Sequence, residues 1–285
     1  MNLWNNEIEV HFFSECLSHF ASPEQLFYKL YDGYYAYIPK GYSAEGQTLQ
    51  SRNSLIGQYT EKWCKSIFEP IANSLNLFAV NGVICDELCL TNQSSADLAF
   101  CTTDSIHQRP ENIKLLFEIK MSIVSNYKFS SPDIIFLGDY KQHKGNPSLL
   151  RSDSMLKAIG KSINIRVSCV ASSNIPIIIL GNSPITISYK NKVDFLKTSG
   201  VIQGFWSLNP KPTDTEHVRE TPQLGFKTIY EIDTLYQLCK SIISNDMNYF
   251  SSMLPKSDLG RIIRIANEET SDVSKAEKFL NLIRN

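Results

Sequence analysis

Apolar residues recur with the 3.6-residue period of a helix in several parts of the chain, and each recurrence predicts a helix with one buried side. The longest stripe predicts a helix over residues 54–69, which Pro70 is expected to kink or end. Further helices are predicted over residues 151–164 and after Lys227, and a short one over residues 23–31, where Ser22 suits an N-cap. The three stripes are Ile56, Tyr59, Trp63, Ile67 and Ile71; Met155, Leu156, Ile159 and Ile163; and Ile229, Ile232, Leu235, Leu238 and Ile242.

Short apolar runs between these helices predict strands. Residues 113–123 alternate in polarity, which is the period of a strand with one buried face. Residues 175–180 are almost continuously apolar, so a strand buried on both faces is expected there. Further strands are predicted over residues 34–38, 77–84, 96–100, 184–189 and 201–208. Residues 125–148 are rich in polar side chains and predict a loop.

This order of helices and strands predicts an α/β fold, in which a mixed central β-sheet is flanked by helices and followed by a C-terminal helical region. We divide the sequence into an N-terminal helix and strand segment over residues 1–50, a core over residues 51–208, and a loop with C-terminal helices over residues 209–285. A chain of 285 residues suits one large domain, or one domain with an appended lobe.

Composition narrows the functional classes. Hydrophobic residues make up 42% and charged residues 20% of the chain, which is enough apolar material for a sizeable core. The net charge is -1, so binding to a nucleic acid would need a local basic patch rather than a basic chain. The sequence has no P-loop and no dinucleotide-binding glycine motif, which disfavours a nucleotide-driven motor.

The seven cysteines indicate no metal centre or disulfide framework. Their number is odd, and no CxxC pair occurs. The five histidines are scattered without metal-ligand spacing. The N-terminus does not resemble a signal peptide, and no run approaches 18 apolar residues, so we expect a cytoplasmic protein that makes no membrane contact.

The strand predicted over residues 113–123 carries the most informative chemistry. Its alternation places Ile113, Leu115, Phe117, Ile119 and Met121 on one apolar face. Glu118 and Lys120 then point together from the opposite face, roughly 7 Å apart along the strand. Packing alone does not select an acid and a base side by side on a half-buried strand. The pair therefore indicates a functional site, although a surface-facing pair on an edge strand is the simpler structural interpretation.

Asp97 begins a short apolar strand upstream of this pair. If the two strands are neighbours in a hairpin, Asp97 lies beside Glu118, and two adjacent carboxylates repel unless a cation joins them. Mg²⁺ prefers such hard oxygen ligands. We therefore expect Asp97, Glu118 and the carbonyl of Ile119 to bind Mg²⁺, and Lys120 to orient an attacking water or help to deprotonate it.

The pattern A-D-x20-E-I-K resembles the PD-(D/E)XK nuclease superfamily. The matching residues are Asp97, Glu118 and Lys120, and Ala96 replaces the family's leading proline. Glu61 matches the glutamate that many members carry on the preceding helix. The segments around residues 50–63 and 149–161 look like those of bacterial type II restriction endonucleases, and the resemblance covers roughly residues 50–182.

The resemblance implies a restriction-endonuclease-like core and a site-specific, Mg²⁺-dependent cut of double-stranded DNA that leaves 5′-phosphates. It also implies a homodimer, because a palindromic target has two-fold symmetry, and a cognate DNA methyltransferase as a second partner of the system. Two alternatives stay open: a DNA repair or junction-resolving nuclease of the same fold, and a non-catalytic DNA-binding protein. A rival active site would use Asp133, Asp139 and Lys141, but only six residues separate those two carboxylates.

Basic side chains outside the motif are candidates for DNA contacts, because base edges must be read by segments beyond the metal site. They form three groups: Lys128, Lys141, His143, Lys144 and Arg151; Lys157 and Lys161; and, in an exposed loop over residues 209–226, Lys211, His217 and Arg219 together with Gln223. The alternative interpretations are an ordinary solvated loop for the first group, a solvated helix face for the second, and a linker for the third.

Overall fold

The helices and strands of the chain are seen in a computed structural model that describes residues 2–43, 49–211, 218–244 and 254–284. The helices in these ranges are α1 Asn6–His19, α2 Pro23–Leu26, α3 Gln50–Ser74, α4 Ser152–Ser168, α5 Lys190–Thr198, α6 Ile232–Ser244, α7 Lys256–Ala266 and α8 Asp272–Arg284. The strands are β1 Tyr28–Leu30, β2 Gly33–Tyr35, β3 Phe78–Val83, β4 Ala96–Cys101, β5 Ile113–Ile119, β6 Asn126–Ser130, β7 Asp133–Gly138, β8 Ile177–Gly181, β9 Gly204–Ser207 and β10 Phe226–Thr228.

A mixed sheet of six strands forms the centre, in the order β10-β9-β8-β5-β4-β3. Strands β3, β4 and β5 are antiparallel neighbours, whereas β5, β8, β9 and β10 run parallel. The sheet therefore changes from antiparallel to parallel pairing at β5. This confirms the predicted α/β class with a mixed central sheet.

Helices cover both faces of this sheet. Phe68 on α3 packs against Phe100 and Phe117 on one face, at ring-centroid distances of 5.9 and 4.5 Å. On the other face, Met155 of α4 belongs to the same buried cluster as Leu116 and Ile179. Strands β5 and β8 are buried on both faces. The apolar run over residues 175–180 therefore correctly predicted a central strand.

The predicted faces of β5 are nearly right. Leu115, Phe117, Ile119 and Met121 all belong to the core on the α3 side. Ile113 belongs to the core on the α4 side instead. A register shift between Phe100 and Cys101 explains the difference, because an irregularity of one residue moves a side chain to the opposite face.

A second, antiparallel sheet has the order β1-β2-β6-β7. Its hairpin β6-β7 lies inside residues 125–148, where a loop was predicted, so that prediction is wrong. The helix predicted over residues 23–31 is also too long, because α2 ends at Leu26 and residues 28–30 form β1. These strands are short, and lysine and exposed residues interrupt the alternation of polar and apolar positions along them. The sequence pattern therefore did not reveal the strands.

Three further predictions need correction. Helix α3 continues through Pro70 to Ser74, because burial of Ile71 and Ala72 outweighs one lost hydrogen bond. Residues 184–189 form no strand, and a short 3-10 turn occupies Ile187–Tyr189. On α4 the buried positions are Met155, Ala158, Ser162 and Ile165, whereas the predicted Leu156 and Ile163 are 63% and 44% exposed.

The N-terminal segment packs on the core through helix α1, which the sequence did not predict, and through a buried carboxylate. Glu9 is 1% exposed. One carboxylate oxygen accepts hydrogen bonds from Trp4 Nε1 at 2.9 Å and the Val124 amide at 2.7 Å. The other accepts from the Ser125 amide at 3.1 Å and the Tyr127 hydroxyl at 2.9 Å. Glu9 thus ties α1 to the segment that follows β5.

The chain forms two compact units, Met1–Tyr249 and Phe250–Asn285. The expected boundary at residue 209 does not coincide with this division, since Ile229, Leu235 and Cys239 belong to the core of the first unit. In the second unit, α7 and α8 pack against each other. Among the described residues, none of the helices combines the length and the apolar character that a membrane crossing demands.

Replacing Glu9 tests how far the buried carboxylate stabilises the fold. We expect Glu9→Gln to lower the free energy of unfolding at neutral pH by about 1–3 kcal/mol, because the new amide N–H₂ would face donors rather than acceptors. Urea unfolding followed by circular dichroism measures the change. Glu7→Gln, an exposed change on the same helix, is the matched control and should alter stability by less than about 0.5 kcal/mol.

The pH dependence of the free energy of unfolding is an independent test of the role of Glu9. Burial raises the pKa of Glu9 above its ordinary value of 4.5, and hydrogen bonds from Trp4, Val124, Ser125 and Tyr127 oppose the rise only in part. The folded state therefore holds a proton that the unfolded state has already lost. Wild-type stability should fall as the pH rises from 4.5 through the raised pKa. Equal slopes for Glu9→Gln and wild type in this window would contradict the assignment.

Candidate active site

Two carboxylates face each other where β4 and β5 pair. Leu98 pairs with Phe117 in antiparallel register, so the next step places Asp97 directly opposite Glu118 on the α4 side of the sheet. The Ile119 amide donates a hydrogen bond to Asp97 Oδ2 at 2.6 Å. The expectation that Asp97 lies beside Glu118 is therefore confirmed.

Lys120 follows β5 directly and turns back onto the pair. Its Nζ makes a short hydrogen bond to Glu118 Oε1 and lies 3.9 Å from Asp97 Oδ2. The same ammonium donates to the Ile119 carbonyl at 3.3 Å. Lys120 is thus on the same side of the strand as Glu118, as the alternation predicted.

A second lysine reaches the pair from helix α4. Lys161 Nζ lies 2.5 Å from Glu118 Oε2 and 3.6 Å from Asp97 Oδ1, and donates to the Ser95 carbonyl at 2.7 Å. From the sequence, Lys161 is only a candidate phosphate contact. Its position between Ala158 and Ile165, on the buried side of α4, could have indicated that Lys161 faces the sheet. That position is informative only when the buried face of the helix is predicted correctly.

The charges of this cluster shift several pKa values. Burial and the neighbouring Glu118 raise the pKa of Asp97, and the two lysines offset this only in part. Burial lowers the pKa of Lys161, but the attraction of Asp97 and Glu118 outweighs it, so the net pKa is raised. Glu61 on α3 is half-buried, and its pKa is raised by burial and by repulsion from Asp97 and Glu118. Glu61 therefore lies within electrostatic reach of the pair, as its position in the sequence suggested.

A buried polar network fixes the backbone around Lys120. The Lys120 amide donates to the Leu180 carbonyl at 2.7 Å, and the Ser148 hydroxyl donates to the Lys120 carbonyl at 2.5 Å. Asn182, which is 0% exposed, donates to the Ser122 carbonyl at 2.6 Å and accepts from the Ser122 amide at 3.1 Å. The end of β5 is thus held to the end of its parallel neighbour β8.

A cleft of about 840 Å³ opens beside Lys120. Four cationic side chains line it, and none of the described residues around it is acidic; the four are Arg52, Lys120, Lys144 and Arg151. We call it the cationic cleft. Its walls also include the first turns of α3 and α4, whose amide groups favour anions.

Arg52 gives the cationic cleft a buried positive charge. It is 4% exposed and donates to the carbonyls of Leu26 and Ala36, with Tyr28 and Tyr37 against its guanidinium. No carboxylate lies within ion-pair distance of it among the described residues. A buried cation without a counter-ion favours an anion nearby.

The other predicted DNA contacts are dispersed. Lys128 lies in the second sheet beside Asp32, at 3.5 Å, and Lys157 is exposed on α4 beside Asp153, at 3.1 Å. The Lys141 amide donates to Asp139 at 2.9 Å in a short 3-10 turn. Arg219 is exposed near β10, with its carbonyl bound by the Thr228 amide at 2.9 Å.

His143 is a correction, because the loop interpretation required an exposed side chain. It is 2% exposed, stacks on Tyr37 with ring centroids 3.9 Å apart, and is hydrogen-bonded to the Val124 carbonyl at 3.0 Å. Burial lowers its pKa to about 4. His143 is therefore a neutral packing residue at neutral pH. Residues 212–217, which include the candidate His217, lie outside the described part of the chain.

The rival active site does not assemble. Asp133 begins β7, whereas Asp139 follows its far end and caps the turn that holds Lys141. The other five residues of β7 therefore separate the two carboxylates, and the strand belongs to the second sheet rather than to the central one.

The donors around the pair suit a hard cation. Asp97 and Glu118 offer carboxylate oxygens, and the Ile119 carbonyl lies beside them, within 3.3 Å of Lys120 Nζ. Oxygen-only ligands of this kind fit Mg²⁺, which retains several waters and needs few protein ligands. Among the described residues, no group of three or more His, Cys, Asp or Glu side chains is placed to hold a metal ion.

Comparison of the chain with protein-family models, with curated proteins and with solved structures found no match.

Asn182 should be essential for the network behind Lys120. Asn182→Asp removes the donor to Ser122 and buries a charge, so we expect the free energy of unfolding to fall by about 2 kcal/mol or more. Asn164→Asp, on the exposed side of α4, is the control and should change stability by less than about 0.5 kcal/mol. Chemical denaturation measures both, and equal small losses would show that the network does not fix this edge of the sheet.

Proposed function

We propose that the chain is a Mg²⁺-dependent endonuclease that hydrolyses phosphodiesters of double-stranded DNA, with a PD-(D/E)XK-like active site on a restriction-endonuclease-like core. One observation carries the proposal: Asp97 lies opposite Glu118 on paired strands, with Lys120 on the same side at the end of β5. The motif of the sequence thus becomes a compact site on a mixed sheet, where Lys120 contacts both carboxylates.

In this proposal Asp97, Glu118 and the Ile119 carbonyl hold Mg²⁺. Bound there, the metal would neutralise charge on the scissile phosphate and make a water more acidic. The chain itself fixes the positions of the ligands. Antiparallel pairing sets the two carboxylates, and the hydrogen bond from the Ile119 amide orients Asp97.

Lys120 has a separate role in the same site. Its ammonium lies at the open edge of the pair, next to the cationic cleft. From there it donates a hydrogen bond to the attacking water and directs it at the phosphorus. The new P–O bond forms as the P–O3′ bond breaks, so the phosphate stays on the 5′ side; the water loses a proton to solvent, and the 3′ oxygen takes one up from solvent. Because Ser148 and Leu180 bind the Lys120 main chain, this position is set before substrate arrives, which is where electrostatic catalysis gains most.

The cationic cleft supports an anionic polymer as substrate. The chain as a whole carries a charge of -1, so a cleft lined by four cationic side chains is informative, and among the described residues only two of the four, Lys120 with Glu118 and Arg151 with Asp153 at 3.7 Å, are paired with a carboxylate. Lys144 and Arg151 approach from the loop before α4, and Arg52 supplies buried charge beneath. A phosphate backbone entering along this cleft arrives directly at Lys120.

Within this proposal a type II restriction enzyme is the form we favour. Such an enzyme acts as a homodimer on a palindromic site, in the cytoplasm, together with a cognate methyltransferase. A repair or junction-resolving nuclease would use the same catalytic residues, and its preference for branched DNA over a linear duplex would distinguish it.

A second candidate function, a DNA-binding protein without catalysis, is favoured by one observation. Lys120 and Lys161 already neutralise Asp97 and Glu118, so the cluster can exist as a structural ion-pair network with no metal. Incubation with mixed-sequence plasmid and Mg²⁺ distinguishes the possibilities: discrete fragments indicate site-specific cleavage, structure-selective nicks a junction enzyme, and unchanged plasmid a binding protein.

The catalytic assignment predicts separate effects on cleavage and on binding. We expect Asp97→Asn, Glu118→Gln and Lys120→Met each to reduce the cleavage rate by about 100-fold or more. Binding of duplex DNA in Ca²⁺, measured by fluorescence anisotropy, should persist for all three. The control is Lys114→Ala, which changes an exposed lysine on the same strand and should cleave like wild type. Cleavage by Glu118→Gln near the wild-type rate would overturn the assignment.

The cationic cleft predicts a specific salt dependence. Arg151→Ala and Lys144→Ala should each weaken binding to any duplex and reduce the slope of log K against log salt by about 1, since each removes one phosphate contact. Lys192→Ala on α5, an exposed lysine far along the chain from the cleft residues, should leave the slope unchanged. If one change weakens binding only to the cleaved sequence, that residue reads a base instead.

A further inference from the structure

Lys161 bridges the two carboxylates through one oxygen of each, as Lys120 does through the other two oxygens. Its Nζ contacts Glu118 Oε2 at 2.5 Å and Asp97 Oδ1 at 3.6 Å, and the side chain is only 18% exposed. A divalent ion held by the same two residues would need those oxygens at about 2.1 Å. The ammonium and the metal therefore compete for one place.

The balance of charge makes this competition strong. Asp97 and Glu118 carry two negative charges, and Lys120 with Lys161 supplies two positive ones, so these four side chains together are neutral without a metal. A divalent ion added to this cluster would leave two uncompensated positive charges in a site whose four side chains are 10–21% exposed. Burying unpaired charge is costly, so one ammonium must move away when a metal binds.

Lys161 has the better alternative position. It already donates to the Ser95 carbonyl at 2.7 Å, outside the carboxylate pair. The second contact of Lys120 is the Ile119 carbonyl, which belongs to the proposed ligand set. The Lys120 backbone is also held beside the pair by the Leu180 carbonyl and the Ser148 hydroxyl.

We infer that Lys161 is the resident counter-cation of the carboxylate pair, which it neutralises in the absence of metal and leaves when a divalent ion binds. The inference rests on the proposed metal-dependent function and adds a regulatory element to it. The exchange keeps the pair ordered without a metal, and it lowers the apparent affinity for the metal, because each binding event must first displace an ammonium.

Calcium binding to the full-length protein without DNA tests the exchange. We expect Lys161→Met to bind Ca²⁺ about tenfold more tightly than wild type by isothermal titration calorimetry, because methionine keeps the length of the side chain and removes its charge. In the absence of Ca²⁺ the variant should have a lower Tm, and saturating Ca²⁺ should raise its Tm by more than it raises that of wild type. Lys157→Met, an exposed change one turn away on α4, should match wild type in both measurements.

The comparison with Lys120 makes the test specific. If Lys120→Met gains Ca²⁺ affinity and Lys161→Met does not, Lys120 is the exchanging cation and the inference is wrong. Equal or weaker Ca²⁺ binding by Lys161→Met would equally overturn it, since the lysine would then support the metal rather than compete with it.

A wild-type measurement keeps the question answerable if Lys161→Met does not fold. A crystal structure of the protein with Ca²⁺ should show Lys161 Nζ beyond ion-pair distance of Glu118 and still bound to the Ser95 carbonyl. A retained Lys161–Glu118 contact beside bound Ca²⁺ would overturn the exchange alone. The absence of Ca²⁺ binding in wild type and in both lysine variants would overturn the exchange and the metal-dependent function together, so the two failures are distinguishable.

Discussion

Antiparallel pairing of β4 with β5 places two carboxylates directly opposite each other, and the surrounding structure must offset their mutual repulsion. Asp97 and Glu118 lie beneath helix α4 with little access to water, where like charges repel strongly. Lysines from two different elements neutralise them. The position of α4, the hydrogen bond from the Ile119 amide and the fixed end of β5 all contribute to a place where concentrated negative charge is tolerated.

The sequence predicted the centre of this arrangement because it is local. Alternation along residues 113–122 placed Glu118 and Lys120 together, and the hairpin hypothesis placed Asp97 beside them. The continuous apolar run of β8 identified a strand buried on both faces. Each of these inferences depends on a short stretch of sequence, whose alternating or continuous apolar residues indicate a strand without help from the rest of the fold.

The features that sequence reasoning missed depend on contacts between distant segments. Lys161 joins the site only because α4 buries Ala158 and Ile165 rather than Leu156 and Ile163, a choice made by the packing of the whole helix. His143 is interior because Tyr37, more than a hundred residues earlier, stacks on it. The hairpin β6-β7 was hidden because its strands are short and partly exposed.

The change from antiparallel to parallel pairing at β5 has an evolutionary consequence. Parallel neighbours require a long crossover, and the one from β5 to β8 contains the β6-β7 hairpin, the loop with Lys144 and Arg151, and α4. The Asp97–Glu118 pair is fixed by the strands outside this excursion. Insertions and substitutions within the hairpin and loop can therefore accumulate over generations without altering the register of β4 against β5. The sequences of the hairpin and the loop can therefore diverge among descendants of this chain, while the pair of opposed carboxylates stays unchanged.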